Sequence, residues 1–206
     1  MVGVALGNFQ RYGHAVPEPF QPGGRAPAPP PLDLVQDFVN TEIPDWARDD
    51  IATPELLEEW LRERRLLEED EPVGAADFVA ARELRAALRG LGLLNNLGES
   101  PDQVLRENLL SALSTVSFRV EVDELGRLVP TPAGTGASRA LAAVVATVLD
   151  AQASGAWGRL KACRKEGCGW LFYDGSRNNS SNWCSMSICG NRAKTAAYRG
   201  RRKAAR

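Results

Sequence analysis

Apolar residues recur at a helical spacing through most of the first 155 residues, and charged residues occupy the intervening positions. This periodicity predicts helices before Pro44, after Thr53-Pro54, over 75–96, after Ser100 and over 137–153. Proline suits the first position of a helix, where no amide donor is needed. Ser100 and Gln103 have the spacing of a capping box, which predicts a short helix there. The positions expected on the buried helix faces are Leu34, Val35, Phe38, Val39, Leu56, Leu57, Trp60, Leu61, Phe78, Ala81, Leu84, Leu88, Leu91, Leu141, Val144, Val145, Val148 and Leu149.

The period changes to two after the fourth predicted helix. Phe118, Val120 and Val122 alternate with polar residues, which predicts a half-buried strand. A turn at 124–126 and a returning strand at 127–130 would complete a hairpin. The fold class predicted from these periods is α+β, with a mainly helical N-terminal domain that carries one β-hairpin.

The first 31 residues follow neither period. Seven of the 13 prolines of the chain lie between Pro17 and Pro31, and the single histidine, His14, lies in the same stretch. Such a sequence is typical of an extended arm, a linker or a disordered segment. We therefore expect the domain proper to cover 32–155 and a smaller module to cover 156–206.

Charge is distributed unevenly along the 206 residues, although the net charge is only −1. From Arg159 to Arg206 there are twelve Lys or Arg residues and two acids, whereas the first 158 residues hold 13 basic and 24 acidic residues. This asymmetry indicates that the C-terminal part attaches to a polyanion. No apolar run approaches the roughly 18 residues of a membrane span, and no leader pattern opens the chain, so we expect a cytoplasmic protein.

All four cysteines lie in the same basic segment. Cys163 and Cys168 form one C-x4-C pair, Cys184 and Cys189 form a second, and fifteen residues separate the pairs. Two such pairs favour one structural zinc ion bound by four thiolates. An iron–sulfur cluster, two disulfides or free thiols are the alternatives. A redox dithiol normally has a two-residue gap, which disfavours that reading.

The residues around the cysteines predict how the module folds. An apolar strand at 169–173, a turn at 174–176 and a helix from Ser187 would make a treble-clef-like zinc ribbon with a C-terminal helix. Some of the nearby cations would balance the thiolate charge. The candidates for that role are Lys161, Arg164, Lys165 and Arg192.

Several motifs resemble known families. The motifs of the basic segment are Cys163-x4-Cys168, Gly169-Trp170-Leu171-Phe172, Trp183-Cys184-Ser185-Met186 and Cys189-Gly190-Asn191-Arg192-Ala193-Lys194. Together they resemble the CGNR zinc finger, and the resemblance implies that the four cysteines ligate one zinc ion in a proposed DNA-binding element. Upstream, Leu34-x3-Phe38-Val39-Asn40-Thr41 resembles the opening of the ABATE domain, which usually precedes this finger in a family of proposed stress-induced transcription regulators.

The basic helix is the expected nucleic-acid contact. The predicted contact residues are Asn191, Arg192, Lys194, Arg199, Arg201, Arg202 and Lys203. Asn191 and Arg192 have side chains that can read adenine and guanine edges. Alternatively, Asn191 caps the helix and Arg192 bonds to a zinc-bound thiolate.

The expected function is therefore transcription regulation by binding double-stranded DNA, with an N-terminal domain that senses a small-molecule effector or forms a homodimer. RNA binding is an alternative, with Tyr173, Trp183 or Tyr198 stacking on bases. A structural or protein-interaction role for the finger is another. No serine–histidine or cysteine–histidine pair and no phosphate loop is present, so we do not expect an enzyme.

Overall fold

The computed structural model describes residues 21–192 and 195. The helices are α1 (Leu32–Asn40), α2 (Pro54–Glu63), α3 (Ala75–Leu97), α4 (Gln103–Ala112) and α5 (Gly136–Ala153). The strands are β1 (Glu42–Ile43), β2 (Arg48–Asp49), β3 (Phe118–Val122), β4 (Leu128–Pro132), β5 (Leu160–Ala162) and β6 (Leu171–Tyr173). They pair as three two-stranded antiparallel sheets, β1 with β2, β3 with β4 and β5 with β6. The predicted α+β class is confirmed.

Two helix starts show how the sequence sets these bounds. The Thr53 hydroxyl accepts a hydrogen bond from the Leu56 amide at 3.3 Å, and Pro54 is the first residue of α2, as predicted. The start of α4 differs from the prediction. Asp102 rather than Ser100 is the cap, because its carboxylate accepts from the Leu105 amide at 2.8 Å.

The hydrophobic core lies between α1, α3 and α5, with α2 packed against them. Most predicted stripe positions are buried in it, including Phe38, Leu84 and Val144, which have no exposed surface. Leu56 and Leu149 are exposed, at 39% and 40%, so the prediction of a buried position is wrong for these two residues. Among the described helices, none has the length and apolar character needed to cross a bilayer.

The β3–β4 hairpin forms where the alternation predicts it, but its outer part is not half-buried. Phe118 packs against the core, whereas Val120 and Val122 are 69% and 67% exposed. Val129 of β4 pairs with Glu121, so it lies on the opposite face from Phe118, and it is 7% exposed. The alternation therefore identifies the strand correctly but not the face that is covered.

Residues 21–31 pack against the rest of the chain. Pro22 and Ala28 are buried, and the Ala28 amide donates to the Gln36 side-chain oxygen at 2.6 Å. This part of the proline-rich stretch is thus a fixed strap. Residues 1–20, with His14, lie outside the described residues.

One continuous core joins the helical part to the cysteine-bearing part. Leu160, Ala162 and Leu171 belong to the same buried cluster as the residues of α1, α3 and α5. Strand β5 packs on α3, and β6 packs on α1. The predicted division near residue 155 is therefore not accompanied by a gap in the packing.

Candidate metal centre

The first cysteine pair is held in the loop of the β5–β6 hairpin. Cys163 follows β5, Cys168 precedes β6, and the Cys163 amide donates to the Trp170 carbonyl at 2.9 Å. Gly169, directly after Cys168, has a φ of +59°, a backbone conformation that residues other than glycine rarely adopt. The strand after the pair was predicted. Its partner, which precedes the pair, was not.

The second pair lies around a single helical turn, Met186–Gly190. The Ser185 hydroxyl caps this turn by accepting from the Ile188 amide at 3.3 Å. Gly190 lies so close to Trp183 that an added Cβ would stand 3.2 Å from the indole ring and 2.6 Å from the Met186 sulfur. Glycine is therefore the residue that fits here without a shift of the Met186 and Trp183 side chains.

The four sulfur atoms meet at one point. All four cysteines are buried, and their sulfurs lie within 4.8 Å of one another. Cys168 lies 3.8 Å from Cys184 and 3.7 Å from Cys189, and the Cys184–Cys189 distance is 3.6 Å. A zinc ion bound at about 2.3 Å by four sulfurs at tetrahedral angles sets the sulfurs about 3.8 Å apart. Disulfide-bonded sulfurs would instead be about 2.05 Å apart. The four cysteines are free thiols whose spacing fits one zinc ion.

Without a cation, the four sulfurs cannot all ionise. Hydrogen bonds from the thiols of Cys168 and Cys184 lower the pKa of Cys163 to about 2. The bond to Cys163 raises the pKa of Cys168 to about 12, and it raises that of Cys184 well above its usual range. Burial raises the pKa of Cys189. The cluster therefore favours a single thiolate by itself, and a divalent cation at its centre would stabilise all four.

A small apolar core surrounds the sulfurs. Phe172 is fully buried there, Trp170 is 4% exposed, and Ile43 joins them from the helical part. The Arg25 guanidinium of the strap lies 4.7 Å from the centre of the Phe172 ring and donates to the Cys184 carbonyl at 3.1 Å. The strap thus packs on the outer side of the cysteine module through Arg25.

The cations nearest the cysteines bind other partners. Lys161 and Asp174 form a buried ion pair at 3.0 Å, and Arg164 donates to the Asn96 side chain at 3.0 Å. Lys165 pairs with Asp45. The expectation that these cations serve the thiolates is therefore wrong for Lys161 and Arg164. For Lys165, the hydrogen bond to Asp45 is the main cause of its raised pKa.

Asp174 organises the polar loop that connects the two cysteine pairs. Burial opposes its ionisation, but hydrogen bonds from Ser176, Lys161 and Ser181 hold its pKa well below the usual range. The Ser181 amide donates to its carboxylate at 2.8 Å. This buried carboxylate ties Ser176 and Ser181 of the loop to Lys161 of β5, so it is a structural group.

Side chains from the helical part hold the backbone of the module. The Asn40 carboxamide donates to the Leu171 carbonyl at 2.8 Å and accepts from the Leu171 amide at 2.7 Å, so it pairs with β6 as a strand would. Gln36 donates to the same carbonyl at 3.1 Å. From α3, Asn96 donates to the carbonyls of Ala162 and Asn182 at 2.6 and 3.0 Å.

These contacts were not predicted from the sequence. Asn40 stands in the motif that resembles the ABATE opening, which was the only signal at this position. No sequence signal indicated the roles of Arg25 and Asn96, because a hydrogen bond to a distant main-chain carbonyl does not affect the local sequence pattern.

The structure places only part of the predicted nucleic-acid surface. Asn191 and Arg192 are exposed and follow the last cysteine after one residue, Gly190. Asn191 has a helical conformation, and Ser185 provides the cap that was one alternative for Asn191. Among the described residues, neither a thiolate nor a carboxylate pairs with Arg192. The other predicted contacts, Lys194, Arg199, Arg201, Arg202 and Lys203, lie outside the described residues, as does Tyr198.

The fold and the cysteine cluster together define a class of zinc-binding proteins in which a four-cysteine finger is built onto a helical domain. Residues 159–202 match the CGNR zinc finger family. Residues 32–155 match the ABATE family, described as "Putative stress-induced transcription regulator". The chain belongs to the ABATE family and carries a CGNR zinc finger after it. No curated protein matches the chain.

Proposed function

We propose that the protein is a transcription regulator whose zinc finger presents a basic C-terminal segment to double-stranded DNA. The observation that carries the proposal is how the cations are distributed along the finger. Arg159, Lys161, Arg164 and Lys165 are bound to carbonyls or side chains within the fold. In contrast, the sequence from Arg192 to Arg206 holds seven Lys or Arg residues and no acid. A run of cations with no acid among them is the kind of sequence that can neutralise phosphates.

The zinc centre would orient this segment. Cys189 is the last ligand, and Asn191 and Arg192 follow it within one helical turn. Loss of the ion would release the turn Met186–Gly190 and with it the start of the basic segment. DNA binding should therefore require the metal.

The helical domain would set the activity of the finger by binding an effector or by dimerising. Asn40 and Asn96 tie the finger to α1 and α3, so a change in the packing of these helices would reach the zinc module directly. The proposal includes no catalytic step, and it places the protein in the cytoplasm, at the nucleoid when it is bound to DNA.

A DNA titration at several salt concentrations tests the electrostatic part of the proposal. Five to eight phosphate contacts give a log–log slope of roughly −4 to −7, from about −0.9 per contact. Selection from a randomised duplex library, with zinc and again after chelation, tests specificity. We expect one motif to be enriched only with metal present.

A triple variant assigns the contact to the basic segment. Arg192→Ala, Arg199→Ala and Arg202→Ala together should weaken DNA binding and make the salt slope less steep by about three contacts, or roughly 2.7. The matched control replaces the exposed Arg48, Arg82 and Arg106 of the helical part, which changes the net charge equally. If both triple variants bind DNA as the native protein does, the proposal is wrong.

Competition with hairpin and single-stranded RNA distinguishes duplex DNA binding from the alternative, RNA binding. Tyr173 and Trp183 are two of the aromatic residues considered for base stacking. Tyr173 is half-buried against the core of the helical part, and Trp183 is half-buried against the small apolar core around the sulfurs. This packing favours duplex DNA over unpaired RNA. Preferential displacement of DNA by RNA would reverse that conclusion.

A further inference from the structure

Strand β3 is the free edge of a two-stranded sheet. Ser117 and Asp123, which flank it, bond to the β4 side of the hairpin. Because bonding direction alternates along an antiparallel strand, the backbone groups of Phe118, Val120 and Val122 point away from β4. Within the described residues, no hydrogen bond reaches these outward groups, and four of the five β3 residues are exposed.

The opposite edge of the hairpin is blocked. Pro130 and Pro132 pair with Val120 and Phe118 in the register of the sheet, so their nitrogens lie on the outer edge of β4. Proline has no amide hydrogen to donate there and prevents another strand from adding. The hairpin therefore offers one edge for strand addition, and that edge is β3.

The charge pattern of β3 is self-complementary. Arg119 and Glu121 flank Val120, and their side chains are exposed and bonded at 2.8 Å within the strand. When two copies of β3 pair antiparallel about a two-fold axis at Val120, Arg119 of each copy lies opposite Glu121 of the other. A centre one residue earlier would place Arg119 opposite Arg119, and a centre one residue later would place Glu121 opposite Glu121. Like charges directly opposite are unfavourable, so the pattern selects the Val120 centre.

We propose that β3 is the dimer interface of this protein, where two copies join their hairpins into a four-stranded sheet with a two-fold axis at Val120. About six main-chain hydrogen bonds would form between the outward groups of the two strands. Phe118 would lie beside Val122 of the second copy on one face, and the four charges would alternate in sign on the other. The dimer specifies the partner left open in the proposed function, and only its consequence for DNA, a two-fold target site, rests on that function.

The test measures oligomeric state in the absence of DNA, so its outcome is independent of the DNA titration. The native chain should sediment as a dimer at roughly 100 µM. Arg119→Glu or Glu121→Arg alone turns two attractive pairs into two repulsive ones and should raise the dissociation constant at least about tenfold. An equimolar mixture of the two single variants should restore the dimer as a heterodimer, which native mass spectrometry resolves by mass. The double variant should dimerise again as the native chain does.

The matched control uses Arg48 and Asp50, an exposed ion pair with the same two-residue spacing at strand β2. Reversing either charge there should leave the sedimentation unchanged. Val120→Pro provides a second probe, because it removes an outward amide without breaking a bond inside the hairpin. A native monomer at every concentration overturns the proposal, as does a dimer that survives both single reversals. A mixture that remains monomeric overturns it too.

Discussion

Asn40→Ala is the sharpest perturbation of the junction between the helical part and the finger. The carboxamide bonds to both main-chain groups of Leu171, at 2.7 and 2.8 Å, and Leu171 is fully buried. In the variant the Leu171 carbonyl keeps its bond from Gln36. The Leu171 amide loses the bond to Asn40 and has no other acceptor among the described residues.

The cost follows from these contacts. A buried amide left without an acceptor costs about 1–3 kcal/mol, and the second lost bond adds about 1 kcal/mol. We therefore expect the free energy of unfolding to fall by about 2–4 kcal/mol. For a chain of this length, each kcal/mol shifts Tm by about 2–4 °C, so Tm should fall by roughly 4–16 °C.

Two probes follow the same melt. Far-ultraviolet circular dichroism reports the helices, and a colorimetric chelator reports release of zinc. Because one core joins the two parts, both transitions should coincide in the native protein and shift together in Asn40→Ala. The control, Asn178→Ala, removes an exposed carboxamide and should shift neither. Early zinc release with an unchanged helical transition would refute the reasoning, because it would show two independent units.

Three further predictions concern other parts of the molecule. Burial raises the pKa of Asp37 to about 6, despite the nearby Arg64. The folded state therefore binds this proton more tightly than the unfolded state does. As a result, the free energy of unfolding falls as pH rises from about 4 to 6. The free energy of unfolding of Asp37→Asn should therefore exceed that of the native chain by up to about 3 kcal/mol above pH 6 and be equal to it below pH 4. Denaturant titration at each pH measures this difference, and an equal gain at both pH values would contradict the prediction. Gly92→Ala should destabilise by about 1–3 kcal/mol, because the new methyl would overlap the Leu171 side chain, and an unchanged denaturation midpoint would refute the close approach. Cys184→Ser should lower the zinc affinity, measured by competition with an indicator. The loss should exceed the about 10–100-fold that is typical when a residue that only supports a ligand is changed. An unchanged affinity would exclude Cys184 as a ligand.

The helices and the metal site were predictable because their signals are local. The apolar stripe of Phe38 and its neighbours, the Thr53-Pro54 start and the two cysteine pairs each lie within a few residues. Cysteine spacing also carries a strong geometric restriction, since few arrangements bring four sulfurs around one ion.

The parts that escaped prediction depend on distant partners. The strap at Arg25 is held by carbonyls 158 and 159 residues away, and proline-rich composition gives no sign of such a partner. The alternation of Val120 and Val122 indicated a strand, but not that its apolar face would be left exposed. Lys161 was expected near the thiolates because it is close in sequence, yet Asp174 gives it a buried counter-charge.

Zinc K-edge X-ray absorption on the purified protein, with elemental analysis of the same sample, tests the central claim most directly. The four-cysteine centre predicts one zinc ion per chain with four sulfur neighbours at about 2.3 Å. A nitrogen or oxygen atom in the first coordination shell, or protein that is fully folded with no bound metal, would contradict the account.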